Sequence, residues 1–231
     1  MGKFEILILA GGKGSRMKST KPKLLNRIRG VSILDMVIKK ALSLNPSKVN
    51  VIISKQYEET KNKYTNVNFF KQIRPLGTGH AVKIFLKKRK TKKDLLIMMG
   101  DAPKINTSSL KKVIIGLRKK CNYVLAAKIK KNTSHGVLKF KGKKIVRILE
   151  YKFLKKSQKN NSICNTGVFA IKNENLKLIK KIKKNSSKKE YLITDLINIF
   201  YKSKICLKLI LTNPSVKSFG INNLNELRKF N

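Results

Sequence analysis

The chain has 231 residues, 41% hydrophobic and 7% aromatic, enough to bury the core of one large α/β domain. It carries 55 Lys and Arg against 11 Asp and Glu, and no apolar run approaches the roughly 20 residues of a membrane span. The amino terminus opens directly into an apolar run without the basic, apolar, small-residue pattern of a secretory leader, so a cytoplasmic location and no membrane partner are expected.

Phe4–Leu9 is continuous and apolar, the pattern of a buried parallel strand. It runs into Ala10-Gly11-Gly12-Lys13-Gly14-Ser15-Arg16, with Lys21-Pro22-Lys23 close behind. Glycines at a strand end let main-chain N–H groups approach a ligand, and Lys13, Arg16 and Lys23 add positive charge. The loop is therefore read as a polyphosphate cradle. It is neither G-x-x-x-x-G-K-[ST], because Arg16 stands at the second Gly, nor G-x-G-x-x-G, because Met17 stands at the third.

Beyond the loop, Ser32–Leu44 has helical spacing with Ser32 as N-cap. Val49–Ile53 is a strand, Tyr57–Tyr64 a polar helix, and Val67–Phe70 a further strand. Leu76-Gly77-Thr78-Gly79-His80 is a second Gly-rich turn, entering a helix over Ala81–Lys88. Asp94–Met99 is an apolar strand ending in Gly100-Asp101-Ala102-Pro103. Acids are scarce here, and open α/β sheets place their chemistry at carboxyl strand ends, so Asp101 is read as a Mg2+ ligand.

A helix over Ser108–Lys119 and a strand over Tyr123–Ile129 follow. Gly136–Phe140 and Ile145–Glu150 flank Lys141-Gly142-Lys143-Lys144 as a β-hairpin that ends on another rare acid, Glu150. Ser157–Ser162 is a polar loop, and Ile163–Ile171 is a strand carrying Asn165-Thr166-Gly167. Helices are expected over Leu176–Lys184 and Glu190–Tyr201, a strand over Cys206–Leu211, an extended piece at Phe219–Asn223, and a last helix over Leu224–Lys229. The alternation gives a Rossmann-like α/β fold: a mainly parallel sheet, helices on both faces, and an inserted antiparallel hairpin over its carboxyl edge.

The +44 charge would suit nucleic acid, but Lys, Asn and Ile rise together along the whole chain, as AT-rich codons produce. No stripe of Arg and aromatic residues marks a base-stacking surface, so no specific nucleic-acid partner is expected. Cys121, Cys164 and Cys206 are an odd number with no C-x-x-C, which reads as reduced thiols.

In sum, the residues describe a site for a nucleoside triphosphate, one Mg2+ and a second polar substrate. In their order the motifs resemble the sugar-phosphate nucleotidyltransferases, and within them the uridylyltransferase domain of bacterial N-acetylglucosamine-1-phosphate uridylyltransferases. The resemblance continues through His135-Gly136-Val137, Ile148-Leu149-Glu150-Tyr151-Lys152, Asn165-Thr166-Gly167, Glu190-Tyr191-Leu192-Ile193-Thr194-Asp195 and Gly220-Ile221-Asn222-Asn223. It implies a Mg2+-dependent transfer of UMP from UTP to N-acetylglucosamine-1-phosphate. Leu9, Ala10, Gly11 and Gly12 would line the nucleotide. Arg16 and Lys23 would be catalytic, neutralising the triphosphate. Gln72, Gly77 and Thr78 would hold uracil; Gly136, Glu150 and Asn165 the sugar; Asp101 and Asn222 the metal. The alternatives are a thymidylyl- or guanylyltransferase, or a basic binding protein without catalysis.

Three positions depart from that pattern. Gly11 stands where Ala is usual, Pro75 replaces a Gln beside the base-binding turn, and Val137 follows Gly136 where Tyr-Gly-Arg is usual. Residues 1–231 are expected to form one nucleotidyltransferase domain without the hexapeptide-repeat acetyltransferase and its trimer, which implies a separate acetyltransferase supplying the sugar phosphate.

Overall fold

The computed structural model describes residues 3–12, 14, 17, 21–131, 134–185, 189–212, 220–221 and 224–228. The strands and helices come in the order β1 (Phe4–Ala10), β2 (Arg27–Ile28), β3 (Val31–Ser32), α1 (Ile33–Leu42), β4 (Val49–Ile53), β5 (Val67–Lys71), α2 (Thr78–Lys88), β6 (Asp94–Met99) and α3 (Thr107–Leu117). Then come β7 (Asn122–Lys131), β8 (Val137–Lys141), β9 (Lys144–Leu149), β10 (Asn160–Ile171), β11 (Lys184–Asn185), β12 (Glu190–Tyr191), α4 (Leu196–Lys202), β13 (Leu207–Thr212) and α5 (Leu224–Arg228).

The main sheet runs β13-β7-β10-β6-β1-β4-β5. Neighbours are parallel except where β10 lies reversed between β6 and β7. The β8–β9 hairpin joins the sheet through one pairing, Cys164 with Val137. This is the mainly parallel sheet with an inserted hairpin that the alternation of elements predicts.

The period-2 pleat sorts β1 into two cores. Phe4, Ile6 and Ile8 pack on the face of α1 and α3 with Ile33, Leu34, Val37, Leu110 and Val113. Leu7 and Leu9 pack on the other face with Val82 and Phe85 of α2 and Leu196, Ile197 and Phe200 of α4. Helices thus cover both faces, and all of β1 is buried. Ser32 caps α1, its hydroxyl accepting from the Asp35 N–H at 3.0 Å.

Five local expectations are corrected. Lys55–Lys63 and Asn173–Lys181 are runs of 3-10 turns, not α-helix. In the second, Asn175, Leu176, Leu178 and Ile179 are buried, a spacing that a helix would also show. The polar loop at Ser157–Ser162 is instead a 3-10 turn over Lys156–Lys159 leading into β10 at Asn160. The helix expected from Glu190 starts only at Ile193, as a 3-10 turn leading into α4 at Leu196, because Glu190 and Tyr191 pair with Asn185 and Lys184 and the Tyr191 N–H is taken by the Leu76 carbonyl at 2.8 Å.

The fifth correction concerns the thiols. Parallel pairing of Leu207 with Asn122 sets the residues before them side by side, and Cys121 and Cys206 are joined as a disulfide with Cα atoms 5.0 Å apart. Only Cys164 stays free; burial pushes its thiol up to about 12, which makes it an inert core residue.

Candidate active site

The carboxyl ends of β1 and β6 lie beside each other, and the loops leaving them form the floor of a cleft. The Gly100 N–H donates to the Leu9 carbonyl at 2.9 Å, and a Cβ at Gly100 would meet that carbonyl at 3.1 Å. Glycine therefore lets β6 turn out against β1, and the next residue is Asp101. Lys23 Nζ sits 2.5 Å from Asp101 Oδ2, the lysine 10% exposed and the aspartate 31%. The Asp101 carbonyl accepts from the Ile221 N–H at 3.0 Å, which ties the segment before Asn222 to the same strand end.

One half of the cleft has a volume of about 750 Å³ and is lined by Leu9, Ala10, Gly11, Gly12, Lys23, Gln72, Gly77 and Thr78, all expected nucleotide contacts. Gly77 adopts φ 99° at the N-cap of α2, and a Cβ there would strike the Tyr191 carbonyl. The Thr78 hydroxyl accepts from the Ile193 N–H at 3.0 Å, so the turn is clamped by a segment 115 residues away.

The other half is about 710 Å³ and is lined by Gly136, Glu150 and Asn165, the expected sugar contacts, with Thr194 and His135. A bulge in β10 between Asn165 and Val168 re-aims Asn165, whose side-chain oxygen accepts from the Gly167 N–H at 3.0 Å. Gly167 makes the bulge at φ 82°. The Asn165 N–H donates to the Gly136 carbonyl at 2.9 Å, and Glu150 accepts from the Thr194 hydroxyl at 3.2 Å. A Cβ at Gly136 would meet Ile148 Cγ2 at 2.7 Å, so glycine fits there beneath the hairpin. Burial holds the His135 imidazole below its ordinary pKa, against the pull of Glu226 and Asp101.

Asp101, Thr78, Met99, Glu190 and Leu192 line both halves, so the two are one continuous cleft meeting at Asp101. Lys13, Arg16 and Asn222 lie outside the described residues. Every other expected site residue lines this cleft. Tyr57, Arg74, Met99, Glu190 and Thr194 also line it and carried no sequence assignment. Glu190 and Thr194 had a signal, since they fall within a matching motif; Tyr57, Arg74 and Met99 had none.

Among the described residues no three His, Cys, Asp or Glu side chains are grouped to hold a metal. Asp101 alone fits Mg2+, which is commonly held by one or two carboxylates and substrate phosphates, and a cation, the Lys23 ammonium, already sits at its Oδ2. No helix among the described residues is long and apolar enough to cross a membrane.

Comparison with known proteins shows the family. Residues 6–165 match the MobA-like NTP transferase domain. The bifunctional protein GlmU of Buchnera aphidicola subsp. Baizongia pistaciae is 36% identical over 227 residues, covering 97% of this chain and 51% of that protein. The GlmU of Wolbachia pipientis wMel is 33% identical over 230 residues, covering 96% and 52%. The chain spans about half the length of the curated relatives it matches. A crystal structure of a Bacillus anthracis protein assigned as a glucose-1-phosphate thymidylyltransferase, solved with sucrose, superposes with a TM-score of 0.75. At 19% identity, over 99% of this chain and 94% of that one, it shares the fold. The chain belongs to the MobA-like NTP transferase domain family.

Proposed function

We propose that this member of the MobA-like NTP transferase family is a sugar-1-phosphate uridylyltransferase, its residues 1–231 working as one nucleotidyltransferase unit, in the cytoplasm. The observation that carries the reading is the bipartite cleft, whose nucleotide and sugar halves meet at the Lys23–Asp101 pair.

UTP would lie over Leu9–Gly12 with its base against Gln72 and the Gly77-Thr78 turn. N-acetylglucosamine-1-phosphate would lie across Gly136, Glu150 and Asn165, with Glu150 accepting from sugar hydroxyls. A phosphate oxygen of the sugar attacks the α-phosphorus, a new P–O bond forms, and the bond to the bridging oxygen breaks as pyrophosphate leaves in line. The chain needs no nucleophile of its own for this, so holding both substrates in line carries much of the rate. Lys23 and Arg16 would neutralise charge on the phosphates. Asp101 and Asn222 would hold Mg2+, which supplies charge neutralisation across the phosphates when bound.

Pyrophosphate release with UTP, Mg2+ and N-acetylglucosamine-1-phosphate tests the reading, run beside the other ribonucleotides, dTTP and glucose-1-phosphate. Preference for UTP and the acetylated sugar is the expected result. Preference for another pair would make the chain a thymidylyl- or guanylyltransferase of the same chemistry. Absence of turnover with every pair would overturn catalysis in favour of a binding role.

A further inference from the structure

Helix α1 lines neither half of the cleft, yet hydrogen bonds tie it to the turns that carry Lys23 and Asp101. At its amino end the Ile33 N–H donates to the Asn26 carbonyl at 3.0 Å. Asn26 closes the 3-10 turn over Lys23–Leu25, and its side-chain nitrogen donates to the Pro22 and Lys23 carbonyls at 3.2 and 3.1 Å. The main chain of Lys23 is thus held by the residue that receives the first N–H of α1.

Near the other end of α1, Lys40 reaches away from the helix. Its Nζ donates to the Pro103 carbonyl at 2.5 Å and to the Ile105 carbonyl at 2.6 Å. Pro103 and Ile105 follow Asp101 in the stretch between β6 and α3, outside any helix or strand, and both are buried. A buried carbonyl outside a ladder needs a donor from elsewhere in the chain. An ammonium carries three N–H donors and makes short, charge-assisted bonds to such acceptors. Lys40 is in no ion pair among the described residues, so its charge goes to these two carbonyls rather than to a carboxylate.

Between the two anchors the helix is stiff. Ser32 caps it, and Ile33, Leu34, Val37, Ile38 and Ala41 are buried against the sheet. From Ile33 to Lys40 its axis advances by roughly 10 Å. One rigid element therefore holds both turns whose side chains meet at 2.5 Å in the cleft.

We propose that α1 is a strut that sets the spacing of Lys23 and Asp101, with Asn26 and Lys40 as the positioning residues at its two ends. Neither lines the cleft. Each acts on a charged group through that group's main chain. The kinetic part of the inference rests on the transferase reading above.

Amide deuterium exchange and steady-state kinetics test it in the full chain and in Lys40→Met, Lys40→Arg, Asn26→Ala and the double variant Asn26→Ala with Lys40→Met. Exchange should quicken over residues 100–105 in Lys40→Met and over residues 23–26 in Asn26→Ala, while β1 and β4 keep theirs. In each of these single variants kcat should fall about tenfold or more, within the roughly 10²-fold that a misplacement of about 1 Å can cost. KM for the sugar phosphate should stay within about twofold, because Gly136, Glu150 and Asn165 are not held by the strut. Lys40→Arg keeps N–H donors on a long stem and should retain most of kcat.

Residues this far apart normally multiply their effects, but two anchors of one spacing should not. The double variant should therefore be within about threefold of the slower single one. A double variant as slow as the product of the two single effects would overturn the proposal. Unchanged exchange at both turns would overturn it too, as would full kcat in variants whose exchange quickens. Should Lys40→Met not fold, Lys40→Gln takes its place under the same criteria. If the full chain turns over no substrate pair, the transferase reading falls, and exchange alone decides the strut: quickening at both turns keeps it, and unchanged exchange removes it.

Discussion

At the amino end of β1, Glu5 accepts from Arg89 Nε at 2.6 Å, with the two side chains 2% and 6% exposed. Arg89 goes on to donate to the Asn173 side chain at 3.0 Å and to the Lys93 carbonyl. Beside it, Asp94 accepts from Lys172 Nζ at 2.7 Å and from the Asn173 N–H at 2.9 Å. At the carboxyl end of the same strands, Lys23 and Asp101 make an ion pair of similar length, but Asp101 keeps 31% of its side chain open to the cleft. In a chain with 11 acids among 55 cations, a cation beside a carboxylate says little, because nearly any carboxylate finds one. Closure is what separates the two ends. The amino-end network spends its polar groups on the chain itself, whereas the carboxyl end leaves three of the eleven acids, Asp101, Glu150 and Glu190, facing one cleft.

The largest expected effect comes from the open end. Asp101→Asn should lower kcat/KM by about 10²–10³-fold or more, the several kcal/mol that a charge-stabilising group contributes to phosphate chemistry. The thermal midpoint should move by only about 2–3 °C, because a partly exposed ion pair contributes little to stability. Full activity in that variant would take Asp101 out of the chemistry.

The closed end should answer in the opposite currency. Glu5→Gln leaves Arg89 buried without its counter-charge, which costs about 3–5 kcal/mol. The urea midpoint should fall with an unchanged slope, while KM for both substrates is retained. A double change, Glu5→Leu with Arg89→Met, removes both charges and should recover most of that loss. Loss of turnover in a folded Glu5→Gln would join the two ends and break the distinction.

Much of the open end was legible because it uses residue types that are rare or constrained here. Three glycines at a strand end and an acid after Gly100 stand out in a lysine-rich chain. What escaped depends on contacts between distant segments. Nothing near Glu190 announces that its neighbour Tyr191 will give its N–H to Leu76, or that Ile193 will bond Thr78. The Cys121–Cys206 disulfide spans 85 residues and follows only from the register of β13 on β7. The period of an apolar pattern reports which face is buried, and it did so for α1. It cannot tell a 3-10 run such as Asn173–Lys181 from a helix when the buried face is short.

The smallest effect is expected at Glu58, where the same pair chemistry is fully open. Glu58 accepts from Lys71 at 3.0 Å and from Lys61 at 3.5 Å, with all three side chains at least 36% exposed. The Lys71 hydrogen bond lowers its pKa, and the smaller contribution from Lys61 acts the same way. A depressed carboxylate contributes stability above its unfolded pKa and loses it as the pH falls through the folded value, so any gain from Glu58 exists at neutral pH and fades in acid. Glu58→Gln should therefore lower the melting midpoint slightly at pH 7 and low salt, where a +44 chain repels itself, and not at all near about 0.5 M salt, where the screening length is only a few ångströms. The Glu5→Gln deficit should persist at the same salt, because a pair that excludes water is screened far less. If both deficits vanished together, closure would not be what distinguishes these carboxylates, and the protein's net charge would be setting the strength of each.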